Sequence, residues 1–433
     1  MLVTVALRYG SIAIQFVVLA FLARYLTVDD YGRYMLVLGA VWATYTLLGL
    51  GASETFVREA PVEIQRGCPD EVASLAGGTL VLALGTAALV ALVGGVFVWL
   101  LALDTATTTL VIFILSFVVV NGLVFNVAQM LLGGGFHALG SFFYYPAVNL
   151  TLLMSSVPYV VLAKTPTFQG VAIATSAGGL LMAVAALLLV VYRIRPTWAT
   201  ATQIRQLVKV GIRLSIARAL AYVGVWMPTF LAGVLLAPVQ AGYLGTANRL
   251  AFAVGAITAA VRFAVRPAIV RAFDRGDRES IKETCGRLAT ATFSIACLAI
   301  VVSAVAGHSI LRIAFGPDLV SAAPLLTILL VGIAFEAFAG PVDEVLKMTG
   351  QEIHVSTVLV VGVGSATLAL FLLAPLGVSA LAWVQVGYSA VVFGTMIVIA
   401  RVKLGIWLHP ILRWSPTGLS EAYGGRSGRR LDG

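Results

Sequence analysis

Residues 107–132 read TTTLVIFILSFVVVNGLVFNVAQMLL and contain no charged residue. About 20 apolar residues in a helix are enough to cross the hydrocarbon core of a bilayer, so this stretch predicts a membrane-spanning helix. Eleven stretches of the same kind flank it, joined by short loops. They lie at residues 3–26, 34–53, 73–103, 141–163, 168–192, 211–237, 242–264, 288–313, 320–346, 354–375 and 377–400. We therefore expect an all-α polytopic membrane protein with 12 transmembrane helices.

The composition supports this prediction. Of the 433 residues, 60% are hydrophobic and 11% are charged, whereas a soluble domain carries about 25% charged residues. No long polar stretch remains that would form a soluble domain. The function must then depend on the few polar groups inside the helical bundle.

The positions of Lys and Arg predict the orientation in the membrane. On the assignment above, 22 of the 28 Lys and Arg residues lie on the side of the N-terminus and four on the opposite side. Because cytoplasmic loops carry an excess of these residues, we expect both termini in the cytoplasm and the protein in the plasma membrane. The same rule explains the net charge of +9, so we expect no nucleic-acid partner.

The sequence gives no sign of a metal or a cofactor. Cys68 and Cys285 fall in predicted cytoplasmic loops and Cys297 in a predicted span, with no CxxC motif and no Cys/His cluster. The glycine run at residues 133–135 has no following Lys of the kind that a phosphate-binding loop requires. We expect three free thiols, no metal site and no cofactor.

The chain also shows a weak internal repeat. The loop at residues 27–34 (TVDDYGRY) resembles the loop at residues 237–244 (APVQAGYL), and aligning Gly32 with Gly242 gives an offset of 210 residues. A second pair of turns, after the fourth and tenth predicted spans, aligns at an offset of 215. Six spans per half is an even number, so the halves would be parallel repeats with a cavity between them.

This repeat predicts the domain organisation. We expect an N-terminal six-helix bundle at residues 1–192, a cytoplasmic linker at 193–210 and a C-terminal six-helix bundle at 211–401. The tail at 402–433 is rich in Gly and Arg, and we expect it to be disordered in the cytoplasm.

Three segments, in this order, resemble polysaccharide-export flippases. Residues 22–34 (LARYLTVDDYGRY) are similar to the opening of those proteins, where a helix end runs into an acidic turn. Residues 273–279 (FDRGDRE) resemble the cytoplasmic loop after their eighth helix. The region from FGP at 315–317 to LKMTGQ at 346–351 is similar to their ninth to eleventh helices.

The resemblance implies a member of the multidrug/oligosaccharidyl-lipid/polysaccharide exporter superfamily, with two six-helix bundles forming a V around a central cavity. It implies a transporter, not an enzyme. The implied activity is to flip an oligosaccharide linked to polyprenyl or dolichyl phosphate or pyrophosphate to the outer leaflet by alternating access, for the synthesis of cell-surface polysaccharide or glycoconjugates. Glycosyltransferases or a polymerase of the same pathway are the expected partners, together with membrane lipids, and we expect a monomer.

Ionisable residues inside predicted spans are the candidate site residues, because a charge at the bilayer centre costs about 2.5–3.5 kcal/mol and normally faces a partner or a wet cavity. Arg218, Arg249 and Arg8 are the candidate substrate-binding residues, since the planar, permanently charged guanidinium suits a phosphate. Each of them could instead point to the membrane surface or pair with an acid such as Glu336. Glu336 is itself a candidate for ion coupling, or for a permanent counter-ion.

Other polar features allow two interpretations. Asn121, Asn126, Gln129 and Asn149 in the fourth and fifth spans would bind sugar hydroxyls or hydrogen bond between helices. Pro228 would bend the seventh span.

Two alternative functions remain open. An ion-coupled multidrug exporter of the same superfamily would need acidic residues in the first bundle, and its predicted spans have none at their centre. A polytopic glycosyltransferase that uses a lipid-phosphate sugar could use Asp29 and Asp30 in the first outer loop as an acidic pair. However, that loop has only about seven residues, and adjacent Asp residues in a short turn are commonly helix caps.

Overall fold

The computed structural model describes the backbone of residues 2–102 and 104–410, and their side chains except at 2–5, 217, 221, 260–264, 266 and 267. These residues form α-helices, three short 3₁₀ turns and connecting loops, with no β-strand among them. The described helices are α1 (Leu2–Tyr25), α2 (Val28–Thr44), α3 (Ala52–Arg66), α4 (Pro69–Leu101), α5 (Thr105–Gly133), α6 (His137–Tyr144), α7 (Pro146–Leu162), α8 (Phe168–Ile194), α9 (Ala201–Leu235), α10 (Pro238–Asp274), α11 (Arg278–Phe315), α12 (Ala323–Ala339), α13 (Val342–Met348), α14 (Glu352–Leu373) and α15 (Val378–Leu404).

The structure confirms an all-α protein that crosses the membrane many times. In the described part of the chain, eight helices are long and apolar enough to span a bilayer, or up to eleven if each pair of bent segments is one span. Helix α10 is not among them, and its first third carries Asn248 and Arg249. The predicted number of twelve therefore stays a prediction.

Two predicted spans are broken helices. The predicted span 34–53 is helix α2 followed by α3, with a bend of 46° between them. Gly49 and Gly51 lie at the break with φ of +80° and +74°, a backbone conformation that glycine adopts without steric cost. The predicted span 141–163 is α6 followed by α7, bent by 50°.

Helix α9 is bent as well, but not at the predicted place. The 52° bend lies between Leu220 and Tyr222, about two turns before Pro228. Tyr222 therefore begins the segment of α9 that runs through the middle of the molecule.

The two halves meet closely where α2 packs against α9 and α10. A Cβ atom added to Gly242 would lie 3.3 Å from Cα of Gly32, and one added to Gly32 would lie 2.0 Å from the carbonyl oxygen of Pro238. Gly32 and Gly242 are the residues that the 210-residue offset aligns. Equivalent positions of a two-fold repeat meet only beside its axis, so this contact is consistent with the predicted repeat.

The structure shows where the predicted linker and tail lie. Helix α9 begins at Ala201, inside the predicted linker 193–210, and Thr200 and Gln203 form a capping box there. After α15, Ile406 and Leu408 are buried against the second half. Residues 411–433, which include most of the predicted disordered tail, lie outside the described residues. The division into bundles stays a prediction.

Candidate central cavity

A cavity of about 350 Å³ lies between the two halves of the chain. The first half contributes α1, α2, α5, α6 and α7 to its wall, and the second half contributes α9 and α10. Its lining residues are Arg8, Ser11, Ile12, Gln15, Trp42, Tyr45, Asn121, Val124, Phe125, Phe143, Tyr144, Tyr145, Val148, Asn149, Tyr222, Trp226, Arg249 and Phe252.

Arg249 lies at this cavity against two tryptophan side chains. Its Cζ is 4.2 Å from the centre of the Trp226 ring and 5.5 Å from that of Trp42. The two indoles are stacked, with centroids 6.1 Å apart and planes at 24°. The aromatic faces hold the cation in place. Nε and Nη2 of Arg249 are buried and have no hydrogen-bond partner among the described residues, so the guanidinium has donors left for an anion.

Arg8 lines the same cavity from α1, roughly 9 Å along the helix from Leu2. Ser11 and Gln15 follow it on the cavity wall. The amide Nε2 of Gln15 is buried and has no hydrogen-bond partner in the described part of the chain. Buried polar groups normally have partners, so this unpaired donor is what a ligand-binding wall would show.

Arg218 is beside the cavity instead of on its wall. Its Nε is 3.0 Å from Oε1 of Glu54, whose side chain is 4% exposed. Its Cζ lies 5.1 Å from the ring centre of Phe125, which does line the cavity. The structure therefore pairs Arg218 with an acid, but that acid is Glu54 of α3.

Glu336 lies half-buried in α12 and does not line this cavity. At the 215-residue offset of the repeat it corresponds to Asn121, which does line it. The candidate site residues therefore divide into three groups: Arg8 and Arg249 on the cavity wall, Arg218 next to it, and Glu336 elsewhere.

The four predicted amide side chains also divide. Asn126 donates to the carbonyl of Leu48 at 3.0 Å, so it bonds between structural elements. Asn149 donates to Oγ of Ser11 at 2.8 Å and also lines the cavity. Asn121 donates within its own helix, to the carbonyl of Phe117. Gln129 is buried in α5.

Sequence reasoning missed the aromatic wall of the cavity. Trp42 lies 5.4 Å from Tyr45 and 6.2 Å from Tyr222, between ring centres. Together with Trp226 they form one cluster that spans both halves. The only signal in the sequence is helical spacing, three residues from Trp42 to Tyr45 and four from Tyr222 to Trp226, and buried aromatic residues anywhere show the same spacing.

The described residues include no group of three or more His, Cys, Asp or Glu that could hold a metal ion. The cavity offers cationic, amide, hydroxyl and aromatic groups to a ligand, and none of the described residues on its wall is acidic.

Comparison with known proteins places these features in a family. Residues 1–273 match the model of a family described as "Polysaccharide biosynthesis protein". No curated protein matches the chain.

Solved structures show the fold. The lipid II flippase MurJ in an inward closed conformation matches with a TM-score of 0.73 at 12% identity, covering 93% of this chain and 88% of that chain. An inward-facing multidrug resistance MATE family transporter of the MOP superfamily matches with a TM-score of 0.67 at 14% identity, covering 92% and 94%. An outward-facing structure with the same description gives 0.57 at 14% identity, covering 93% and 95%. These likenesses establish a MOP-type helical architecture.

Proposed function

Because the chain belongs to the family described as "Polysaccharide biosynthesis protein", we propose that it flips a polyprenyl- or dolichyl-linked oligosaccharide, joined through phosphate or pyrophosphate, to the outer leaflet. The proteins whose structures match it are described as transporters and as a flippase, not as enzymes.

The observation that carries the proposal is the charge of the cavity. Arg8 and Arg249 line it, and its lining in the described part of the chain includes no Asp or Glu. An anionic phosphate linkage is attracted to such a cavity, whereas a cationic drug is repelled. The amides of Gln15 and Asn149 retain polar atoms without partners among the described residues, and sugar hydroxyls would complete their hydrogen bonding.

The packing supports a cavity that faces the cytoplasm. On the far side of the membrane from the N-terminus, the halves are joined by what we call the outer seal. In it, the hydroxyls of Tyr31 and Thr246 are hydrogen bonded at 3.0 Å, and the rings of Phe16 and Phe315 lie 5.2 Å apart. With the termini in the cytoplasm of a plasma-membrane protein, as the Lys and Arg distribution favours, release of substrate outside requires this seal to open.

The repeat suggests where the lipid tail lies. Under a two-fold relation, α2 corresponds to α10, and α1 corresponds to the second segment of α9. The seam between α2 and α9 therefore corresponds to a seam between α10 and α1. Helix α2 packs along α9, whereas α1 and α10 make few contacts in the described part of the chain. A gap between α1 and α10 would let the headgroup occupy the cavity while the polyprenyl tail stays in lipid.

The alternatives fit the structure less well. A multidrug exporter shares the fold, but a cationic drug would need an acid on the cavity wall. For a glycosyltransferase, Asp29 and Asp30 are already engaged, since Asp29 pairs with Arg33 at 2.9 Å and Asp30 accepts from the backbone N–H of Phe168 at 3.1 Å. We further propose a monomer that works with glycosyltransferases or a polymerase of the same pathway.

The test is translocation in proteoliposomes. A fluorescent polyprenyl-pyrophosphate oligosaccharide is followed across the bilayer with the wild-type protein, with Arg249→Ala and with empty vesicles. We expect faster crossing with the wild type than with empty vesicles, and loss of most of that excess with Arg249→Ala. No protein-dependent movement of any such lipid, together with transport of a cationic dye, would favour the multidrug exporter.

A further inference from the structure

A second cavity, of about 490 Å³, lies in the second half of the chain between α11 and α15. Helix α12 packs along both of these helices and contributes the rest of the wall. The described residues that line this cavity carry no charged, hydroxyl or amide side chain, and none of them lines the central cavity. We call this cavity the apolar groove.

The apolar groove faces the lipid. Its wall on α11 runs from Phe293 to Ile300, which is about 10 Å along the helix axis. The residues that follow Ile300 on α11 and Ile397 on α15 are Val301 and Val398, and both are exposed. Exposed apolar side chains around a groove mark a surface that contacts a membrane or another apolar partner.

One end of the groove reaches a membrane surface. Phe293 lies near the start of the predicted span 288–313, and Ile397 lies near the end of the predicted span 377–400. Both of these ends are on the side of the membrane that the Lys and Arg distribution predicts to be cytoplasmic. The groove therefore lies in the leaflet on that side.

Cations border this end of the groove. Arg401 follows Ile397 by four residues, so it lies one turn further along the same face of α15. Its Cζ is 4.2 Å from the centre of the Trp407 ring. Arg278, the first residue of α11, lies at the same corner, because a Cβ atom added to Gly405 would be 3.2 Å from Nη1 of Arg278.

The cations of the two helices differ in their partners. On α11, Lys282 is paired with Glu279 and Arg287 with Glu283. On α15, Arg401 is exposed and pairs with no acidic residue among the described residues. The unpaired positive charge nearest to the groove on α15 is therefore that of Arg401.

We propose that the apolar groove binds an anionic phospholipid, with one acyl chain against α11, α12 and α15 and the phosphate at Arg401. A wall without polar side chains suits a hydrocarbon chain and not a sugar. An unpaired guanidinium at the open end favours an anionic headgroup over a zwitterionic one, as basic pockets between membrane helices do. Tryptophan is common at the depth of the headgroups, which suits Trp407 beside this phosphate.

This lipid is a resident of the protein and not its cargo. The second half contributes α9 and α10 to the central cavity and α11, α12 and α15 to the groove, and the two share no described residue. The inference therefore does not depend on the proposed function, and the two can fail separately.

Two variants test the two parts of the site. Arg401→Gln removes the charge at the headgroup. Gly394→Leu fills the groove, since an added Cβ there has no neighbour within 4 Å and the side chain can extend into open space.

Each variant has a matched control. Arg193→Gln removes an exposed arginine at the end of α8 that also lies against an aromatic ring, with its Cζ 5.7 Å from the centre of Phe136. Gly364→Leu adds the same side chain on α14, at a position that is equally open and does not line the groove.

The first measurement is native mass spectrometry of the delipidated full chain, titrated with phosphatidylglycerol and with phosphatidylcholine of the same acyl chains. We expect the first phosphatidylglycerol to bind about fivefold more tightly, the effect of one nearby cation on an anionic lipid. Arg401→Gln should abolish this preference, and Gly394→Leu should weaken the binding of both lipids. Arg193→Gln and Gly364→Leu should match the wild type.

The second measurement locates the lipid. Cys297 lines the groove, and it is the only thiol left in a Cys68→Ser/Cys285→Ser variant. Phosphatidylglycerol should slow the reaction of Cys297 with a lipid-soluble maleimide several-fold more than phosphatidylcholine does. Adding Arg401→Gln should remove that difference.

Three results would overturn the inference. One is equal affinity of the wild type for the two lipids, or a preference that survives Arg401→Gln. Another is displacement of phosphatidylglycerol by an equimolar polyprenyl phosphate, which would make the groove a site for the tail of the cargo. The third is protection of Cys297 without added lipid that disappears when residues 411–433 are deleted, which would mean that the chain itself fills the groove.

Discussion

Arg249 has the most defined setting of the candidate residues, because two indoles lie against its guanidinium and two of its donors have no hydrogen-bond partner among the described residues. Lysine keeps the charge but lacks the planar fork and its stacking. A cation–π contact contributes about 0.5–2 kcal/mol, so Arg249→Lys should weaken binding of a fluorescent polyprenyl pyrophosphate about two- to thirtyfold, as measured by titration in nanodiscs. Arg33→Lys, in an exposed ion pair with Asp29, serves as the control. Equal affinities for the two variants would show that charge alone matters.

Two asparagines of α5 are expected to have different roles, one in helix packing and the other in substrate contact. Asn126 is 1% exposed and ties α5 to the loop at Leu48, whereas Asn121 lines the cavity and donates to the carbonyl of Phe117 within its own helix. We expect Asn126→Ala to lower the free energy of unfolding by about 1 kcal/mol, seen as a lower melting temperature in detergent. Asn121→Ala should keep the melting temperature and slow the transport of a sugar-bearing lipid more than that of a sugar-free one. The reverse pattern would contradict both assignments.

At the residue scale, the sequence revealed the cations but not their partners. Arg8, Arg218 and Arg249 are conspicuous because charge is rare in apolar helices. Glu54 directly follows the predicted span 34–53, where nothing in the sequence indicates a partner inside the bundle. Its contact with Arg218 joins positions 164 residues apart, and such pairings are set by helix packing, which no local pattern records.

At the scale of the element, the helices were predictable and their breaks were not. Hydropathy reports the length of an apolar stretch but not the backbone conformation within it. The break between α2 and α3 depends on positive φ at Gly49 and Gly51, and glycine in membrane helices is too common to predict such a turn. The break matters because it turns the first residues of α3, including Glu54, toward α9.

The close approach of α2 and α10 at the outer seal predicts the effect of a single methyl group. A Cβ on Gly32 would lie 2.0 Å from the Pro238 carbonyl oxygen, so Gly32→Ala should force the outer ends apart and favour an outward-open state. Thr246 is fully buried at this seal. A Thr246→Cys variant without the three native cysteines should therefore react with an impermeant thiol reagent several-fold faster when Gly32→Ala is added.

The control for this experiment is Gly95→Ala in α4, where an added Cβ would have no neighbour within 4 Å. It should leave the labelling of Thr246→Cys unchanged. Equal labelling in the Gly32→Ala and Gly95→Ala backgrounds would mean that the contact between α2 and α10 does not hold the seal closed.

For the whole molecule, the repeat was visible in the sequence, whereas its asymmetry was not. The alignment of Gly32 with Gly242 predicted two equivalent halves, and the contact between these glycines supports that relation. Yet the α2–α9 seam is packed, whereas α1 and α10 make few contacts among the described residues. A flippase needs this difference, because its substrate has one headgroup and one lipid tail and must enter from one side.

The charge of the proposed substrate leads to a prediction about the effect of the membrane potential. Moving one negative charge outward against an inside-negative potential releases about 2.3 kcal/mol per 100 mV, which shifts the equilibrium distribution by about 50-fold per charge. A pyrophosphate-linked lipid in proteoliposomes with a valinomycin-imposed potassium gradient should therefore accumulate in the outer leaflet when the inside is negative and in the inner leaflet when the sign is reversed. The lipid-monophosphate analogue, with one charge fewer, should respond less steeply. Because the protein and its arginines return to their starting positions in every cycle, the equilibrium distribution depends on the charge of the lipid and of any ion that moves with it. Equal distributions at both signs of the potential would therefore mean that a counter-ion crosses together with the headgroup.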